Sequence, residues 1–458
     1  MSEKDNYGIT KSLVERIKNA LDMNLKTQIK KIFSSLHPAD QADLICSLDT
    51  DERKKLIEVL NNKIDPSLIV ELSGDVRDEI LGYLDKETIA GILTKLDTDE
   101  AVEILEDFED DELTNETLES IKSSEKREDI EEALSYPEDS VGRIMDQDNF
   151  IAIPKDWNVS EILKYLRKNK NVPQEVSSVV VVDEYYRPVS VASIGNILQN
   201  DEKTLISQIM KDPEDLKILN VNMDQADAAN IFIKYDLKFV PVVNENGILT
   251  GILNSNDIMH VINEESNEDM MLMASVDVDD DIHTPILTSV RKRLPWLIGS
   301  ILTASLSSIV INYFSGTIEK LVILSALIPP IANLSGVSGN QTLSILIRNI
   351  ASKSIENSSL LKVILKQALT GLLDGFFLAL ITIFVIYFWK RDFGLSVIFA
   401  ITVMVLQAIS CFVGSVIPIV IHKLKLDPAI GSGTFITAFL DTLSALMLLG
   451  MATMFLLS

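Results

Sequence analysis

Apolar positions along the chain fall into three successive regimes. From Leu48 to Phe108 the sequence repeats every 12 residues, starting at Leu48-Asp49, Leu60-Asn61, Leu72-Ser73, Leu84-Asp85, Leu96-Asp97 and Phe108-Glu109. Most of these starts place Asp or Ser where a helix N-cap belongs and an acid in the first turn behind it. Apolar residues follow at helical spacing, as in Ile57 and Leu60 or Ile80, Leu81 and Leu84. Each repeat is long enough for one short helix and its turn. Residues 1–135 are therefore expected to form an all-α domain of stacked short helices, a small superhelical repeat.

Near Tyr136-Pro-Glu-Asp-Ser140 the period changes, and two similar modules follow, residues 136–200 and 201–263. Each opens on an Ile-Met pair (Ile144-Met145, Ile209-Met210) and continues with a short strand and an amphipathic helix. A β-rich run comes next, Ser177–Val182 in the first module and Phe239–Val243 in the second. A turn leads to another strand (Pro188–Ala192; Ile248–Leu253) and a closing helix. This α+β order resembles a tandem CBS domain pair. Many such pairs hold adenine nucleotides through a Thr/Ser-x-x-Asp element opening the last helix. The matching positions here are Ser193-Ile-Gly-Asn196 and Asn254-Ser-Asn-Asp257. Each copy keeps one of the two residues, which weighs against a bound nucleotide.

The third regime is uninterrupted hydrophobicity. Apolar runs at about Leu294–Phe314, Leu321–Ile350, Leu360–Trp389, Leu395–Ile421 and Ala429–Leu457 each reach the ~20 residues that cross ~30 Å of hydrocarbon. Residues 291–458 thus read as an α-helical transmembrane bundle with five spans. Pro329-Pro330 and Ser335-Gly-Val-Ser-Gly339 interrupt the second, which argues against one smooth helix there. Basic residues cluster beside alternate ends: Arg291, Lys292, Arg293, Arg348, Lys353, Lys362, Lys366, Lys423 and Lys425 on one side, Lys320, Lys390 and Arg391 on the other. By the positive-inside rule the first side is cytoplasmic, and the C-terminus is then external. The opening MSEKDNYGIT has no apolar core of a signal peptide.

Charge separates the same regions. The chain of 458 residues carries a net charge of −26. Residues 1–290 hold 29 basic and 61 acidic side chains, while the rest holds 12 and 6. An acidic half of that size is unsuited to nucleic acid or anionic lipid and suited to cations. The two cysteines, Cys46 and Cys411, lie one in each half and build neither a disulfide framework nor a thiolate metal site. From Phe239 to Val290 there is no Lys or Arg, while Glu264, Glu265, Glu268, Asp269, Asp277, Asp279, Asp280 and Asp281 crowd together. Such a run is either a solvated acidic linker or a set of oxygen ligands for Mg²⁺ or Ca²⁺.

Two carboxylates, Asp374 and Asp441, fall well inside spans, and Asp427 stands at the cytoplasmic mouth of the last one. An intramembrane carboxylate costs roughly 2.5–3.5 kcal/mol on insertion scales, so it marks a cavity, a partner or an ion path. Asp441 is surrounded by Thr434, Thr437, Thr442 and Ser444 with no basic neighbour. That is the pattern of a cation site. No Gly-rich phosphate loop and no nucleophile beside a histidine is present, and His37, His260, His283 and His422 are scattered, so an enzyme is not expected.

Taken together, the chain resembles the MgtE-type magnesium channels. The resemblance rests on the helical repeat from His37-Pro-Ala-Asp40, on Tyr235-Asp236 before the Pro-Val-Val strand, and on Glu265-Ser-Asn-Glu268-Asp269. Arg293-Leu-Pro-Trp296 at the first span and Asp427-Pro-Ala429 before the last complete it. It implies a homodimer that carries Mg²⁺ through a pore and closes when internal Mg²⁺ binds the acidic domains. Asp441 would be the pore acid, with Asp427, Gly336 and Asn340 around the path. Asp236, Asp257, Glu265, Glu268 and Asp269 would hold regulatory Mg²⁺, and residues 264–290 would form a connecting helix that plugs the pore. The chain departs from the family pattern at Val337, where an asparagine is usual, and at His260 and Gln367, where acids are usual. The alternatives are transport of Mn²⁺ or Co²⁺, which oxygen ligands do not easily exclude, or a non-conducting membrane sensor.

Overall fold

A computed structural model describes residues 8–60, 64–72, 74–106, 108, 111–169, 172–173, 176–278, 280, 284, 286–351 and 360–456. Asn61, Ser73, Glu109, Asp279, Asp281, His283 and Lys353 lie outside these residues. The chain divides into two compact units, Met1–Ile262 and Asn263–Ser458.

The first unit begins with the predicted run of short helices: α1 (Lys11–Asp22), α2 (Lys26–Phe33), α3 (Pro38–Cys46), α4 (Thr50–Leu60), α5 (Pro66–Val70), α6 (Gly74–Leu81), α7 (Lys86–Leu93), α8 (Thr98–Glu106), α9 (Asp111–Glu119) and α10 (Ser124–Ser135). The acidic caps do what their spacing implies. Asp49 Oδ1 accepts from Glu52 N at 2.9 Å while Glu52 Oε2 accepts from Asp49 N at 3.0 Å, a reciprocal capping box. Asp85 Oδ1 accepts from Thr88 N at 2.7 Å. A continuous apolar core that includes Leu44, Leu56, Leu68, Ile80, Leu93 and Ile104 runs through the stack.

A second ladder ties the repeats together. Arg53 and Arg77 are buried. Arg53 donates to the Ile45 and Cys46 carbonyls and pairs with Glu79 at 2.6 Å. Arg77 donates to the Leu72 and Val70 carbonyls and pairs with Glu103 at 2.7 Å. Each guanidinium thereby satisfies the open carbonyls at a helix end and reaches forward to a later helix, which fixes the register of the stack.

The two α+β modules share one topology. The first comprises α11 (Val141–Ile144), β1 (Ala152–Pro154), α12 (Val159–Lys168), β2 (Ser178–Val182), β3 (Pro188–Ser193) and α13 (Ile194–Gln199). The second comprises α14 (Ile206–Ile209), β4 (Leu219–Asn220), α15 (Gln225–Tyr235), β5 (Phe239–Val243), β6 (Leu249–Asn254) and α16 (Ser255–Met273). Each sheet is three-stranded, with its middle strand parallel to the first and antiparallel to the last. Both carry an irregularity at the same place, Val181/Val182 and Val242/Val243. Near-continuous Val in β2 and Phe and Val in β5 mark strands covered on both faces.

The second unit holds α17 (Ile286–Tyr313), a short α18 (Ser315–Lys320), α19 (Ile323–Ala351), α20 (Leu360–Lys390), α21 (Phe393–Lys423) and α22 (Ser432–Leu456). Helices α17, α20, α21 and α22 are long and apolar enough to cross a membrane. The expected second span, α19, has the length, but Asn333, Ser335, Ser338, Asn340 and Gln341 dilute its apolar character. It is continuous through Pro329-Pro330, contrary to the broken helix expected there. One tight approach packs it against α22, since a Cβ on Gly339 would stand 2.5 Å from Leu440 Cδ1, and another packs α20 against α21, since a Cβ on Gly375 would stand 2.7 Å from the Met404 carbonyl.

The acidic connecting stretch 264–290 is not one helix. It continues α16 only to Met273, where Ser275 takes a left-handed conformation with φ 57° and the chain turns. Helix α17 then starts at Ile286, eight residues before the expected membrane entry. The run free of Lys and Arg also finds basic partners once the chain folds back. Asp277 pairs with Lys292 at 3.2 Å, and buried Asp280 accepts from Arg293 Nε at 2.5 Å and Ser289 Oγ at 3.2 Å. The Arg293 guanidinium holds the Asp280 carboxyl below its usual range. For these two acids the competitor that the sequence pattern excluded is supplied by the next segment.

Candidate functional site

In the second unit a cavity of about 690 Å³ opens between α19 and α22. Its lining includes Asn333, Gly336, Val337, Asn340, Thr437 and Asp441. A second cavity of about 540 Å³ shares Asp441, Asn340 and Thr437 and adds Ser300, Thr303 and Ser307 of α17. Asp441 therefore borders both, half-buried, with no hydrogen-bond or ion-pair partner among the described residues. The polar groups around it are committed to one another. Asn340 Nδ2 donates to Thr437 Oγ1 at 2.9 Å, and Thr437 Oγ1 in turn donates to the Gly433 carbonyl at 2.9 Å. Ser335 and Ser444 hydroxyls meet at 2.7 Å, and Ser307 and Thr442 at 2.8 Å.

One atom is left over. Asn340 Oδ1 is buried with no donor among the described residues. An unsatisfied amide oxygen costs roughly 1–3 kcal/mol, so it is expected to serve a ligand or its water. Asn340, Gly336 and Asp441, singled out by sequence, are thus brought together. Asp374 is exposed on α20 and lines neither cavity.

The end of α16 borders the second cavity through Met270, Met273 and Ala274. The Gly431 N–H donates to the Leu272 carbonyl at 3.2 Å, and the Ser275 and Thr434 hydroxyls approach to 2.5 Å. A Cβ on Gly433 would stand 2.8 Å from the Met273 carbonyl oxygen, so only glycine lets the two backbones come this close. Asp427 caps its own turn, accepting from Ala429 N at 2.7 Å. Burial and then the charge of Asp427 push the Asp269 carboxyl upward. Glu265 and Glu268 are half-buried on α16 near Asp269.

The first unit holds a separate acidic cluster that the sequence reading missed in part. Burial and then the charges of Asp146 and Asp257 push Asp99 up to about 8. Burial raises Asp257 to about 6, with Asp146 adding to it. Asp257 accepts from Asn254 N at 2.9 Å, and Asp146 accepts from Asp148 N and Asn149 N. Asp99 Oδ1 is buried without a donor among the described residues. Asp97 and Asp99 stand at the start of α8, Asp146 just after α11 and Asp257 in the first turn of α16. Only the folded chain assembles them. The remaining expected ligand, Asp236, is exposed and occupies the left-handed C-cap of α15 at φ 50°, a conformational role. Among the described residues no group of three or more His, Cys, Asp or Glu converges closely enough to ligate a metal directly.

At the nucleotide element, Ser193 Oγ accepts from Asn196 N at 3.1 Å and caps α13. Both half-elements are thus engaged in helix caps.

Family profiles match in this same order. Residues 36–139 match the MgtE intracellular N domain, 141–203 and 206–264 match CBS domains, and 328–451 match MgtE, described as a divalent cation transporter. The chain belongs to the MgtE family. It is 31% identical over 332 residues, 72% of each chain, to the magnesium transporter MgtE of Enterococcus faecalis. It is 26% identical to that of Bacillus subtilis, covering 93% of each chain, and 25% identical to that of Thermus thermophilus, covering 97% of this chain and 98% of the relative. Among solved structures, the soluble part of a magnesium transporter aligns over 56% of this chain and 98% of its own, with 27% identity and a TM-score of 0.48. The cytosolic domain of the Mg²⁺ channel MgtE in complex with ATP aligns over 54% and 99%, with 24% identity and a TM-score of 0.49.

Proposed function

We propose that this MgtE-family chain carries Mg²⁺ inward across the cytoplasmic membrane and is closed by Mg²⁺ bound at its acidic cytoplasmic domains. The observation that carries the transport reading is Asp441, an unpaired carboxylate bordering two cavities, with the orphaned Asn340 Oδ1 beside it. Mg²⁺ gives up its water reluctantly. A site of one carboxylate, one amide oxygen and several hydroxyls can bind the hydrated ion through its water shell without stripping it. In a homodimer with α19 crossing as a fifth span, two copies of Asp441 would share one axis. The N-terminus would be cytoplasmic and the C-terminus external, as the distribution of basic residues supports.

The regulatory reading rests on Asp99, Asp146 and Asp257. Like charges raise one another's pKa, and a divalent cation relieves that repulsion. Because the described residues hold no group that ligates a metal directly, an ion among these acids would be held through water. Asp269 beside Asp427 offers a similar pair where the end of α16 meets the mouth of α22. Ion binding there would favour the seated position of Met273 and Ser275, and so a closed path. The engaged caps at Ser193 and Asp257 weigh against nucleotide binding, whereas the ATP complex of the relative supports it. Isothermal titration of the full chain with ATP separates the two.

Val337 lines the Asp441 cavity where the family resemblance leads to asparagine. That favours a second reading, looser discrimination against Mn²⁺ and Co²⁺. Flux into liposomes with a panel of divalent ions, at controlled internal Mg²⁺, tests all of this. Absence of Mg²⁺ flux from well-folded protein would overturn the transport reading and leave a membrane sensor.

A further inference from the structure

We propose that Arg143, Lys126 and Asp148 clasp the N-terminal helical domain to the first CBS module without a metal ion, and so hold Asp99 and Asp146 together before Mg²⁺ arrives. The clasp rests on contacts within the first unit alone. Its consequence for Mg²⁺ rests on the regulatory reading above.

Arg143 lies on α11, in the first CBS module, yet it repeats the bonding of the two arginines inside the helical stack. Its Nε donates to the Tyr136 carbonyl at 2.9 Å and its Nη2 to the Leu134 carbonyl at 3.1 Å, at the open end of α10. Its Nη1 pairs with Glu106 at the end of α8. Arg53 and Arg77 each take two carbonyls of a helix end and one glutamate in the same way. Helix α11 thus closes the stack as a further repeat would. It is also tied to the second CBS module, where the Met223 carbonyl accepts from Val141 N at 2.7 Å and the Val221 carbonyl from Gly142 N at 2.8 Å.

A second tie crosses the same junction. Asp148 stands at the N-terminus of α8, where its Oδ2 accepts from Thr98 N and Thr98 Oγ1, both at 2.8 Å. Lys126 of α10, its side chain 13% exposed, donates to that carboxylate at 3.0 Å and to Thr98 Oγ1 at 2.9 Å. Asn149 Nδ2 donates to Asp97 Oδ2 at 2.8 Å. The N-terminal domain therefore receives a helix cap from the neighbouring module, and its carboxylate suits the positive end of α8. Pairs of this kind, with both partners charged, are the stronger hydrogen bonds.

These ties use the residues that flank the acid cluster. Asp97 and Thr98 lead into Asp99, and Asp148 and Asn149 follow Asp146 closely. Repulsion between Asp99 and Asp146 would part the two segments if an ion alone joined them. The chain's own cations hold them instead. A divalent ion then meets acids already assembled, and its binding does not have to bear the entropy of docking two domains.

The test follows hydrogen exchange of the full-length protein in detergent micelles at one neutral pH, with EDTA and along a Mg²⁺ titration. The readout is residues 97–106, because Asp148 holds the Thr98 N–H only while the domains are docked. With EDTA, wild-type protection there is expected to stay within about tenfold of its Mg²⁺-saturated value. The variant carrying Lys126→Met and Arg143→Gln is expected to lose at least about a hundredfold with EDTA, and to need at least about tenfold more Mg²⁺ for half-maximal protection. Protection of α4 and α6 should not change, which separates undocking from unfolding. Lys126→Met alone is expected to lose at least about tenfold, and it decides the matter if the double variant also loses α4 and α6. Wild-type protection that collapses with EDTA overturns the proposal, and so does a variant that exchanges as wild type. If the variant undocks but Mg²⁺ alters neither protein, the clasp stands and the regulatory reading fails.

Discussion

Asp441 and Asp99 are both carboxylates with oxygens that no donor among the described residues satisfies, yet their surroundings are opposite. Asp441 stands among hydroxyls and one amide, with no other acid lining its two cavities. Asp99 stands among acids, and Asp146 and Asp257 oppose its ionisation. A solitary acid in a ring of neutral oxygens keeps its charge available to an ion that enters and leaves. Crowded acids resist ionising together, so a cation bound among them changes the free energy of the whole interface. Under the proposed function, the first arrangement suits passage and the second suits sensing.

The comparison breaks most visibly at Asp441. Asp441→Asn keeps shape and removes the charge. At roughly 5 Å through one water shell, with an effective dielectric near 20, one carboxylate charge attracts a divalent ion by about 7 kcal/mol, and with about half of that offset by desolvation the loss is still roughly a hundredfold in occupancy. Mg²⁺ flux into liposomes is expected to fall by about that factor while the protein elutes as before. Wild-type flux from the folded variant would show that Asp441 is not the ion site.

The soluble cluster predicts a pH effect whose sign can be worked out. The folded-state pKa values of Asp257 and Asp99, about 6 and about 8, lie above the ~3.9 of an unfolded aspartate. Their protonated forms therefore favour the fold, and that contribution is lost as pH rises through these values. Without divalent cations, hydrogen-exchange protection of α8 and α11 in the full chain should weaken between pH about 6 and about 8. Mg²⁺ should flatten the trend, and Asp99→Asn should flatten it without Mg²⁺. A slope unchanged by both would remove the cluster from any sensing role.

Some of this was legible in the sequence and some was not, for physical reasons. The CBS-type strands, the short helices with their acidic caps and the apolar spans follow from local periodicity, which needs no tertiary knowledge. Asp441 stood out as a candidate because hydrocarbon makes a carboxylate conspicuous, whereas Asn340 was pointed to only by the family resemblance. The Asp99–Asp146–Asp257 group was not, since its members lie far apart in sequence and each resembles an ordinary helix cap. The available signal was the double acid Asp97–Asp99 at the head of α8. Asp277 and Asp280 misled in the other direction. A run without Lys or Arg looks uncompensated until the chain turns back and presents Lys292 and Arg293.

An intermediate effect is expected where the end of α16 meets the path. Gly433→Ala places a methyl group 2.8 Å from the Met273 carbonyl and 3.4 Å from Asn340 Oδ1. Overpacking of this kind costs about 1–3 kcal/mol, here charged against the seated position of α16. Residual flux at saturating internal Mg²⁺ should rise, with little change when internal Mg²⁺ is low. Unaltered inhibition would show that this contact does not close the path.

The smallest effect is expected at Asp374, the other carboxylate within a span. The sequence sets it beside Asp441 as a second intramembrane acid, but the structure separates them. Gly371 and Gly375 on the same helix pack against α21, where a Cβ on Gly371 would meet the Gln407 carbonyl at 2.5 Å. Asp374 instead turns to the exposed side of α20 among Leu372, Leu373, Phe376 and Phe377. Burial inside the helix packing therefore does not hold it, and it lines neither of the cavities that Asp441 borders. Asp374→Asn should leave Mg²⁺ flux within about twofold of wild type and leave inhibition by internal Mg²⁺ in place. A loss comparable to that of Asp441→Asn would mean that the second acid reaches the ion path in the assembled protein, and the contrast between a solitary acid and a crowded one would no longer describe the membrane half.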